Sequence, residues 1–156
     1  MNTLKTILYM GSLHGFFTFY FPFRLAILIF PLFDMGILHY IAIPLWILGA
    51  WIIVRCSRDM IHTGRGTPAH LDPPKELLII GLYRHVRNPI YLGALLALLG
   101  HIIWSGSSLV MAYFLCYVIA FEILVLFFEE PVLRKVFGKE YEEYCKNVPR
   151  WIPRFG

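Results

Sequence analysis

Two clusters of polar side chains border apolar segments and are candidates for shared chemistry. The first precedes and enters one apolar segment and comprises Gly81, Tyr83, Arg84, His85, Arg87, Asn88 and Tyr91. The second is the tandem pair Glu129-Glu130, which directly follows another apolar segment. Arginine and backbone amides hold carboxylates, whereas glutamates accept hydrogen bonds from ammonium groups and hydroxyls. The two clusters together favour a small ligand that carries both a carboxylate and positively charged groups.

The apolar segments beside these clusters are predicted to form an antiparallel helical hairpin. Residues 89–104 begin with a proline, which is favoured at the first helical position, although this segment is short for a span. Residues 109–128 have the full length that a bilayer requires. Only Ser105-Gly106-Ser107-Ser108 separates the two, which is too short for anything but a tight antiparallel turn. The two polar clusters must then lie close together at the same depth.

Composition places the chain in a membrane. Hydrophobic residues make up 58% of the 156 residues, charged residues make up 15%, and the mean hydropathy is +0.65. A soluble domain of this length cannot bury so much apolar surface. The length allows one domain, residues 1–156, because a few spanning helices use most of it. The expected fold class is an all-α polytopic membrane protein with about four transmembrane helices.

Two further apolar segments complete the predicted four. Residues 7–23 are read as a retained first helix that ends where Pro22 and Arg24 interrupt it, and the stretch 25–33 either continues this helix or lies at the interface. Residues 36–54 have the length of a span and are expected to stop at the charged group formed by Arg55, Arg58 and Asp59.

The distribution of charge predicts the orientation in the membrane. With four spans, every lysine and arginine except Arg24 falls on one side, in Lys5, residues 55–87 and residues after 128. The positive-inside rule makes that side the cytoplasm, with both termini there. The net charge of +4 is explained by this topology, so no nucleic-acid partner is expected. The three cysteines are far apart without CxxC spacing, and no metal is expected.

The C-terminal tail is predicted to form an amphipathic cytoplasmic helix. Its apolar side chains recur at intervals of three and four residues, which places them on one helical face. Pro131 suits the first turn, the two preceding glutamates suit a helix N-terminus, and Gly138 is expected to break the helix or make a close contact. The apolar face comprises Leu133, Phe137, Tyr141, Tyr144 and Val148.

S-adenosylmethionine has the features that the polar clusters require, since it carries a carboxylate, an ammonium group, ribose hydroxyls and a sulfonium that favours aromatic faces. The motifs also resemble a known family, the isoprenylcysteine carboxyl methyltransferase and phospholipid methyltransferase superfamily. The resemblance covers roughly residues 64–153. Its motifs are Gly81-x-Tyr83-x-x-x-Arg87-Asn88-Pro89-x-Tyr91-x-Gly93, then Glu129-Glu130-x-x-Leu133-x-x-x-Phe137-Gly138-x-x-Tyr141-x-x-Tyr144 and Val148-Pro149.

The resemblance implies the roles of individual residues. Glu130 completes the acidic pair needed in the phospholipid enzymes. Asn88 replaces a histidine that is usual in the carboxyl methyltransferases, and Val125 stands where those enzymes place a substrate-binding arginine, which argues against a prenylcysteine carboxylate as acceptor. The cofactor contacts implied are Lys75, Glu76, Leu77, Leu78, Tyr83, Asn88, Pro89, Ile90, Tyr91 and Glu129.

Three residues are candidates for the methyl transfer itself. Arg87 can orient an anionic substrate or the cofactor carboxylate, and Glu130 completes the acidic pair. Glu122 lies roughly two turns inside the fourth segment, where a carboxylate is costly unless paired, so substrate contact is a hypothesis beside a helix-to-helix hydrogen bond. His85 is a candidate base, whereas His101 is expected to be structural.

The acceptor is expected to be lipid-soluble and to arrive sideways from the bilayer. A lipid amine, a prenylated carboxylate, a small thiol and a quinol-like hydroxyl all remain open. Two other function classes also remain: an NADPH-dependent protein similar to sterol reductases, which share the C-terminal pattern, and a non-catalytic membrane scaffold.

Overall fold

A computed structural model describes residue 8 and residues 11–28, 33–34, 36–62 and 76–154. Every regular element in these residues is helical, which confirms the all-α prediction for the described part. Helix α1 spans Leu13–Leu28, α2 spans Gly36–His62, α3 spans Pro89–Ser105, α4 spans Ser108–Phe137 and α5 spans Lys139–Asn147. A 3₁₀ turn at Gly81–Arg84 precedes α3.

Two of these helices, α2 and α4, are long and apolar enough to cross a membrane. Helices α1 and α3 are apolar but shorter, so the predicted set of four spans remains a prediction. The exposed surface of the long helices is apolar, as in Ile47, Trp51 and Phe127. Such a surface is suited to lipid and poorly suited to water. The chain therefore has the character of a membrane protein.

Helix α1 does not end at Pro22, as one reading of the sequence expected, but continues to Leu28. Proline cannot donate to the carbonyl four residues earlier, which belongs to Thr18. The carbonyl five residues before the proline belongs to Phe17, and it accepts the Tyr113 hydroxyl of α4 at 2.8 Å. The preceding turns, Leu13–Tyr20, are π-helical, a geometry that often marks such irregular positions. A neighbouring helix thus supplies what the proline removes, and the alternative that 25–33 continues the first helix holds as far as Leu28.

Helix α2 also runs further than predicted. It continues beyond Arg55 to His62, so the expected stop at Arg55, Arg58 and Asp59 is wrong. Arg55 and Asp59 are four residues apart and form an ion pair at 3.5 Å, an arrangement that supports a helix. Asp59 and Met60 are buried. Charges end an apolar stretch, but they do not end a helix whose last turns are covered by other parts of the chain.

Helices α2 and α3 pack so closely at Gly49 that a side chain there would clash with the backbone of α3. A Cβ atom added at Gly49 would lie 2.6 Å from the carbonyl oxygen of Gly93 and 2.9 Å from the backbone nitrogen of Ala97. Small residues at such a contact let helices in a membrane approach closely. Helix α3 is covered on several sides, with Ala94, Ala97 and Leu98 fully buried. It is the central element against which the site is built.

Helix α4 passes through the acidic pair without a break. The prediction that a separate tail helix begins at Glu129 and Glu130 is wrong, because both lie inside one helix from Ser108 to Phe137. The turns Leu124–Glu129 are π-helical, and the backbone N–H of Glu130 bonds the carbonyl of Val125. Proline has no backbone N–H to donate to the preceding turn, and the π-turn just before Pro131 lets the helix continue in spite of this.

The break at Gly138 is confirmed. Gly138 has a φ of +51° and separates α4 from α5. The predicted apolar face packs as one cluster with part of the loop before α3. After α5 the chain returns along that loop, since the N–H of Arg87 donates to Pro149 at 2.9 Å and the N–H of Arg154 donates to His85 at 3.0 Å. The cluster comprises Tyr141, Tyr144, Val148, Leu133, Phe137, Cys145 and Leu77.

Candidate active site

The hairpin of α3 and α4 brings the two polar clusters into direct contact. Tyr91 in the first turn of α3 donates its hydroxyl to Glu129 at 2.5 Å, and both residues are buried. Arg87, just before α3, donates to the Glu130 carboxylate at 3.0 Å. The predicted proximity of these residues is therefore confirmed. The short hairpin turn is its cause, because it leaves both clusters at the same end of the bundle.

Glu130 is the centre of a cluster of arginines. Besides Arg87, its carboxylate accepts two hydrogen bonds from Arg150, at 2.8 Å from Nε and 3.1 Å from the second terminal nitrogen. Arg134, one turn further along α4, lies 3.7 Å away. The Glu130 side chain is only 7% exposed. A buried carboxylate needs such partners, since an uncompensated buried charge is costly.

Arg87 is also held from the tail. Its terminal nitrogen lies 2.7 Å from the Cys145 sulfur, and its backbone N–H is bonded to Pro149. The Nε atom is buried and has no hydrogen-bond partner among the described residues. Since a buried N–H group normally has a partner, this atom is a donor that a carboxylate or hydroxyl of a bound molecule can satisfy.

Tyr83 stands beneath this cluster in the 3₁₀ turn. Its backbone carbonyl accepts the Tyr144 hydroxyl at 2.6 Å, and its side chain is buried. Burial, with a smaller contribution from the nearby Cys56, raises the pKa of Tyr83 well above its ordinary value. The phenol therefore stays protonated and acts as a neutral hydrogen-bonding group with an aromatic face.

Asn88 caps α3 by position but uses its side chain elsewhere. The amide nitrogen donates to the backbone carbonyl of Arg150 at 3.2 Å, so it ties the tail to the start of α3. Pro89 and Ile90 follow at the first helical positions and are buried. The beginning of α3 is therefore buried and in contact with the returning tail.

The remaining predicted cofactor contacts differ in burial and in the part of the fold that they contact. Leu78 is buried in the main core with Tyr83 and Tyr91, Leu77 packs under the tail cluster, and Glu76 is exposed. Lys75 lies outside the described residues. Tyr83 and Tyr91 thus share one core cluster, Tyr91 contacts Glu129, and Asn88 contacts the tail instead.

Glu122 is paired, and its partners come from the tail. The indole N–H of Trp151 donates to one carboxylate oxygen at 2.5 Å, and Arg150 lies 3.4 Å from the other. Arg150 thereby contacts both Glu122 and Glu130. Arg150 and Trp151 were not singled out from the sequence, because no helical spacing relates them to Glu122. The only signal was an arginine and a tryptophan directly after the Val148-Pro149 motif.

The two histidines considered as a base or as a structural residue, His85 and His101, lie in different surroundings. The His85 Nδ1 atom lies 3.2 Å from the backbone carbonyl of Arg154, so it faces the tail. His101 is buried between α1 and α2, against Phe19 and Trp46, in keeping with a structural role. In the described part of the chain, no group of three or more histidine, cysteine, aspartate or glutamate side chains is arranged to hold a metal ion.

Comparison with known proteins extends these observations. The phospholipid methyltransferase family model matches residues 37–140. A probable protein-S-isoprenylcysteine O-methyltransferase of Oryza sativa subsp. indica is 30% identical over 138 residues, which cover 81% of this chain and 67% of the relative. The protein-S-isoprenylcysteine O-methyltransferase B of Arabidopsis thaliana is 34% identical over 114 residues, 69% of this chain and 53% of the relative.

A second kind of relative matches a shorter region. The Delta(14)-sterol reductase of Mus musculus is 37% identical over 83 residues, which are 51% of this chain but only 19% of that protein. No solved structure matches the chain. Since the family model covers more than half of the residues and the rice relative matches over most of its length, the chain belongs to the phospholipid methyltransferase family, within the superfamily that includes the isoprenylcysteine carboxyl methyltransferases.

Proposed function

We propose that the chain transfers a methyl group from S-adenosylmethionine to a lipid-soluble or membrane-associated acceptor at the cytoplasmic membrane face. The observation that carries this proposal is the pair of contacts Tyr91–Glu129 and Arg87–Glu130, which join two motifs of a methyltransferase family at one end of an apolar hairpin. The names of the rice and Arabidopsis relatives, both O-methyltransferases, support it.

The donor set fits S-adenosylmethionine. Arg87 offers a buried Nε–H group to a carboxylate. Glu129 is an acceptor for an ammonium group or ribose hydroxyls, and the rings of Tyr83 and Tyr91 offer faces to a cation. When bound, this cofactor supplies an electrophilic methyl group. The proposed contacts with the cofactor also include Lys75, Glu76, Leu77, Leu78, Asn88, Pro89 and Ile90.

The protein's part in the reaction is alignment and exclusion of water. Direct displacement at a methyl carbon needs the nucleophile, the carbon and the leaving sulfur in line, and a fixed geometry supplies much of the rate. Arg87 and Glu130 hold each other, so neither side chain needs to reorganise during the reaction. The tail from Val148 onwards covers the start of α3. The site is therefore shielded from the aqueous side.

The acceptor is proposed to approach from the lipid, with Glu122 as its contact. The Glu122 side chain is 40% exposed, which makes it the accessible carboxylate of the cluster. Val125, one turn further along α4, is buried among apolar side chains and offers no charge to a prenylcysteine carboxylate. An acceptor panel should therefore include a lipid amine, a thiol and a quinol-type hydroxyl beside a prenylated carboxylate.

We further propose one domain over residues 1–156 with four spans and both termini in the cytoplasm. The support is the charge distribution, because all lysines and arginines except Arg24 fall on one side of such a topology. In a variant whose Cys56, Cys116 and Cys145 are replaced by alanine, labelling of a single cysteine that replaces Lys5 or the exposed Lys146 in intact cells tests it. Both positions should react only after the membrane is made permeable, and reaction of either in sealed cells would contradict the topology.

The deciding experiment compares ligands on the purified protein in detergent. We expect S-adenosylhomocysteine to raise the melting temperature and NADPH to leave it unchanged, and we expect labelled S-adenosylmethionine to transfer its methyl group to a membrane extract. The sterol-reductase relative makes NADPH the second candidate. Stabilisation by NADPH alone would favour a reductase, and no response to either ligand together with no methyl transfer would favour a non-catalytic scaffold.

A further inference from the structure

One arginine of the tail contacts two carboxylates of α4. Glu122 and Glu130 are separated by eight residues, or about 12 Å of helix rise. Arg150 places one terminal nitrogen 3.4 Å from Glu122 and its other two nitrogens 2.8 and 3.1 Å from Glu130. All three nitrogens of the guanidinium are therefore used. A lysine could not reproduce this, because an ammonium is a point charge without the planar fork.

The position of Arg150 is fixed by its own backbone. Its carbonyl accepts the Asn88 amide at 3.2 Å, and the carbonyl of the preceding Pro149 accepts the Arg87 N–H at 2.9 Å. The residue that follows, Trp151, donates its indole N–H to Glu122 at 2.5 Å. Backbone and side-chain contacts thus hold this part of the tail against both α3 and α4.

The two carboxylates differ in ways that separate their roles. Glu130 is 7% exposed and has Arg87 as a second close partner, whereas Glu122 is 40% exposed and has partners only from the tail among the described residues. An exposed ion pair alone adds little stability. The contacts on Glu122 therefore set where its carboxylate points more than they hold the fold together.

We propose that Arg150 and Trp151 are positioning residues for methyl transfer: Trp151 aims the Glu122 carboxylate at the acceptor, and Arg150 links that carboxylate to Glu130 on the cofactor side. This inference rests on the proposed function. Because the Arg150 fork joins the two sides, closure of the tail over the site and orientation of the acceptor contact become one event. We call the four side chains Glu122, Glu130, Arg150 and Trp151 the tail latch.

Kinetics with S-adenosylmethionine and native membranes as the acceptor source separate the two positioning residues. We expect Trp151→Phe to lower kcat about tenfold, the effect of about 1.4 kcal/mol, with KM for the cofactor unchanged. Arg150→Met should lower kcat and raise that KM, and Arg150→Lys should recover the KM more than the kcat. Lys146→Met is the matched control, since it removes one positive charge from an exposed position of the same tail and should change neither constant.

Hydrogen exchange gives a readout that does not require turnover. The N–H of Arg154 is bonded to His85 across the closed tail, so we expect its exchange to become about tenfold faster in Arg150→Met and to be unchanged in Lys146→Met. The proposed role of the tail latch would be wrong if Trp151→Phe kept the wild-type kcat, or if Arg150→Met left hydrogen exchange at the Arg154 N–H unchanged. If the wild-type protein neither binds S-adenosylhomocysteine nor transfers methyl groups, the proposed function fails, and a null exchange result is a separate failure.

Discussion

The hydroxyl of Tyr91 lies 2.5 Å from the Glu129 carboxylate, although 38 residues separate the two in sequence. Both are buried, and they belong to the opposite arms of one hairpin. A hydrogen bond between a phenol and a carboxylate is stronger than one between neutral groups. This contact fixes the orientation of an acidic side chain proposed to hold the cofactor.

Replacing Tyr91 by phenylalanine tests that relationship. We expect Tyr91→Phe to weaken binding of S-adenosylhomocysteine about tenfold, because a hydrogen bond to a charged group contributes about 1.5–3 kcal/mol and the Glu129 carboxylate loses the contact that orients it. Isothermal titration in detergent measures the affinity. Tyr113→Phe is the control, since it removes a hydroxyl that bonds Phe17 elsewhere in the bundle. If Tyr91→Phe and Tyr113→Phe bind S-adenosylhomocysteine equally well, Glu129 does not contact the cofactor.

Neutralising Glu130 should destabilise the protein itself. Glu130→Gln leaves Arg87 and Arg150 facing each other without their shared carboxylate. Breaking a buried pair costs about 3–5 kcal/mol, and we expect a value near the lower end because Arg150 is partly exposed. Denaturant titration in mild detergent gives the free energy of unfolding. Glu140→Gln, an exposed position on α5, should change it by less than about 0.5 kcal/mol.

Two helical glycines should respond oppositely to alanine. At Gly49 the new methyl group would meet the backbone of Gly93 and Ala97 at 2.6 and 2.9 Å, so α2 and α3 must move apart. At Gly15 nothing lies within 4 Å. We expect Gly49→Ala to cost about 1–3 kcal/mol, as overpacking does, and Gly15→Ala to be neutral or slightly stabilising. Melting temperatures in one detergent decide, and a neutral Gly49→Ala would contradict the close packing.

Removing the tail should abolish cofactor binding. A chain that ends before Phe137 keeps α1 to α3 and most of α4 but loses the cluster of Tyr141, Tyr144 and Val148 and the contacts of Arg150. We expect no measurable heat of binding with S-adenosylhomocysteine. Circular dichroism at a matched concentration checks that the remaining helices persist. Wild-type affinity in a helical truncated protein would show that the tail does not cover the cofactor.

Much of the site was predictable because it depends on local rules. The short turn between α3 and α4, Gly106 and Ser107, forces an antiparallel pair, and that alone places Arg87 beside Glu130 and Tyr91 beside Glu129. The left-handed Gly138 and the apolar face of the tail follow from residue type and spacing in the same way. The start of α3 at Pro89 is confirmed as well.

Other features depended on contacts that no periodicity encodes. Helix α1 passes Pro22 through π-helical turns in which the Phe17 carbonyl accepts the Tyr113 hydroxyl of α4. Helix α2 passes Arg55 because its last turns are buried against the loop before α3. Helix α4 passes Pro131 through a π-turn. In each case a neighbouring part of the chain or a change of helical geometry compensates a local signal to stop.

The residues that meet across the hairpin follow from the order of the chain, because a short turn between two helices leaves only one arrangement. The return of the tail, which brings Arg150 and Trp151 to Glu122, depends instead on the packed bundle. That contact joins side chains without a common helical spacing. It is set by the break at Gly138 and by the hydrogen bonds from Tyr144 to the Tyr83 carbonyl and from Asn88 and Arg87 to the tail. These hydrogen bonds exist only after the bundle has formed.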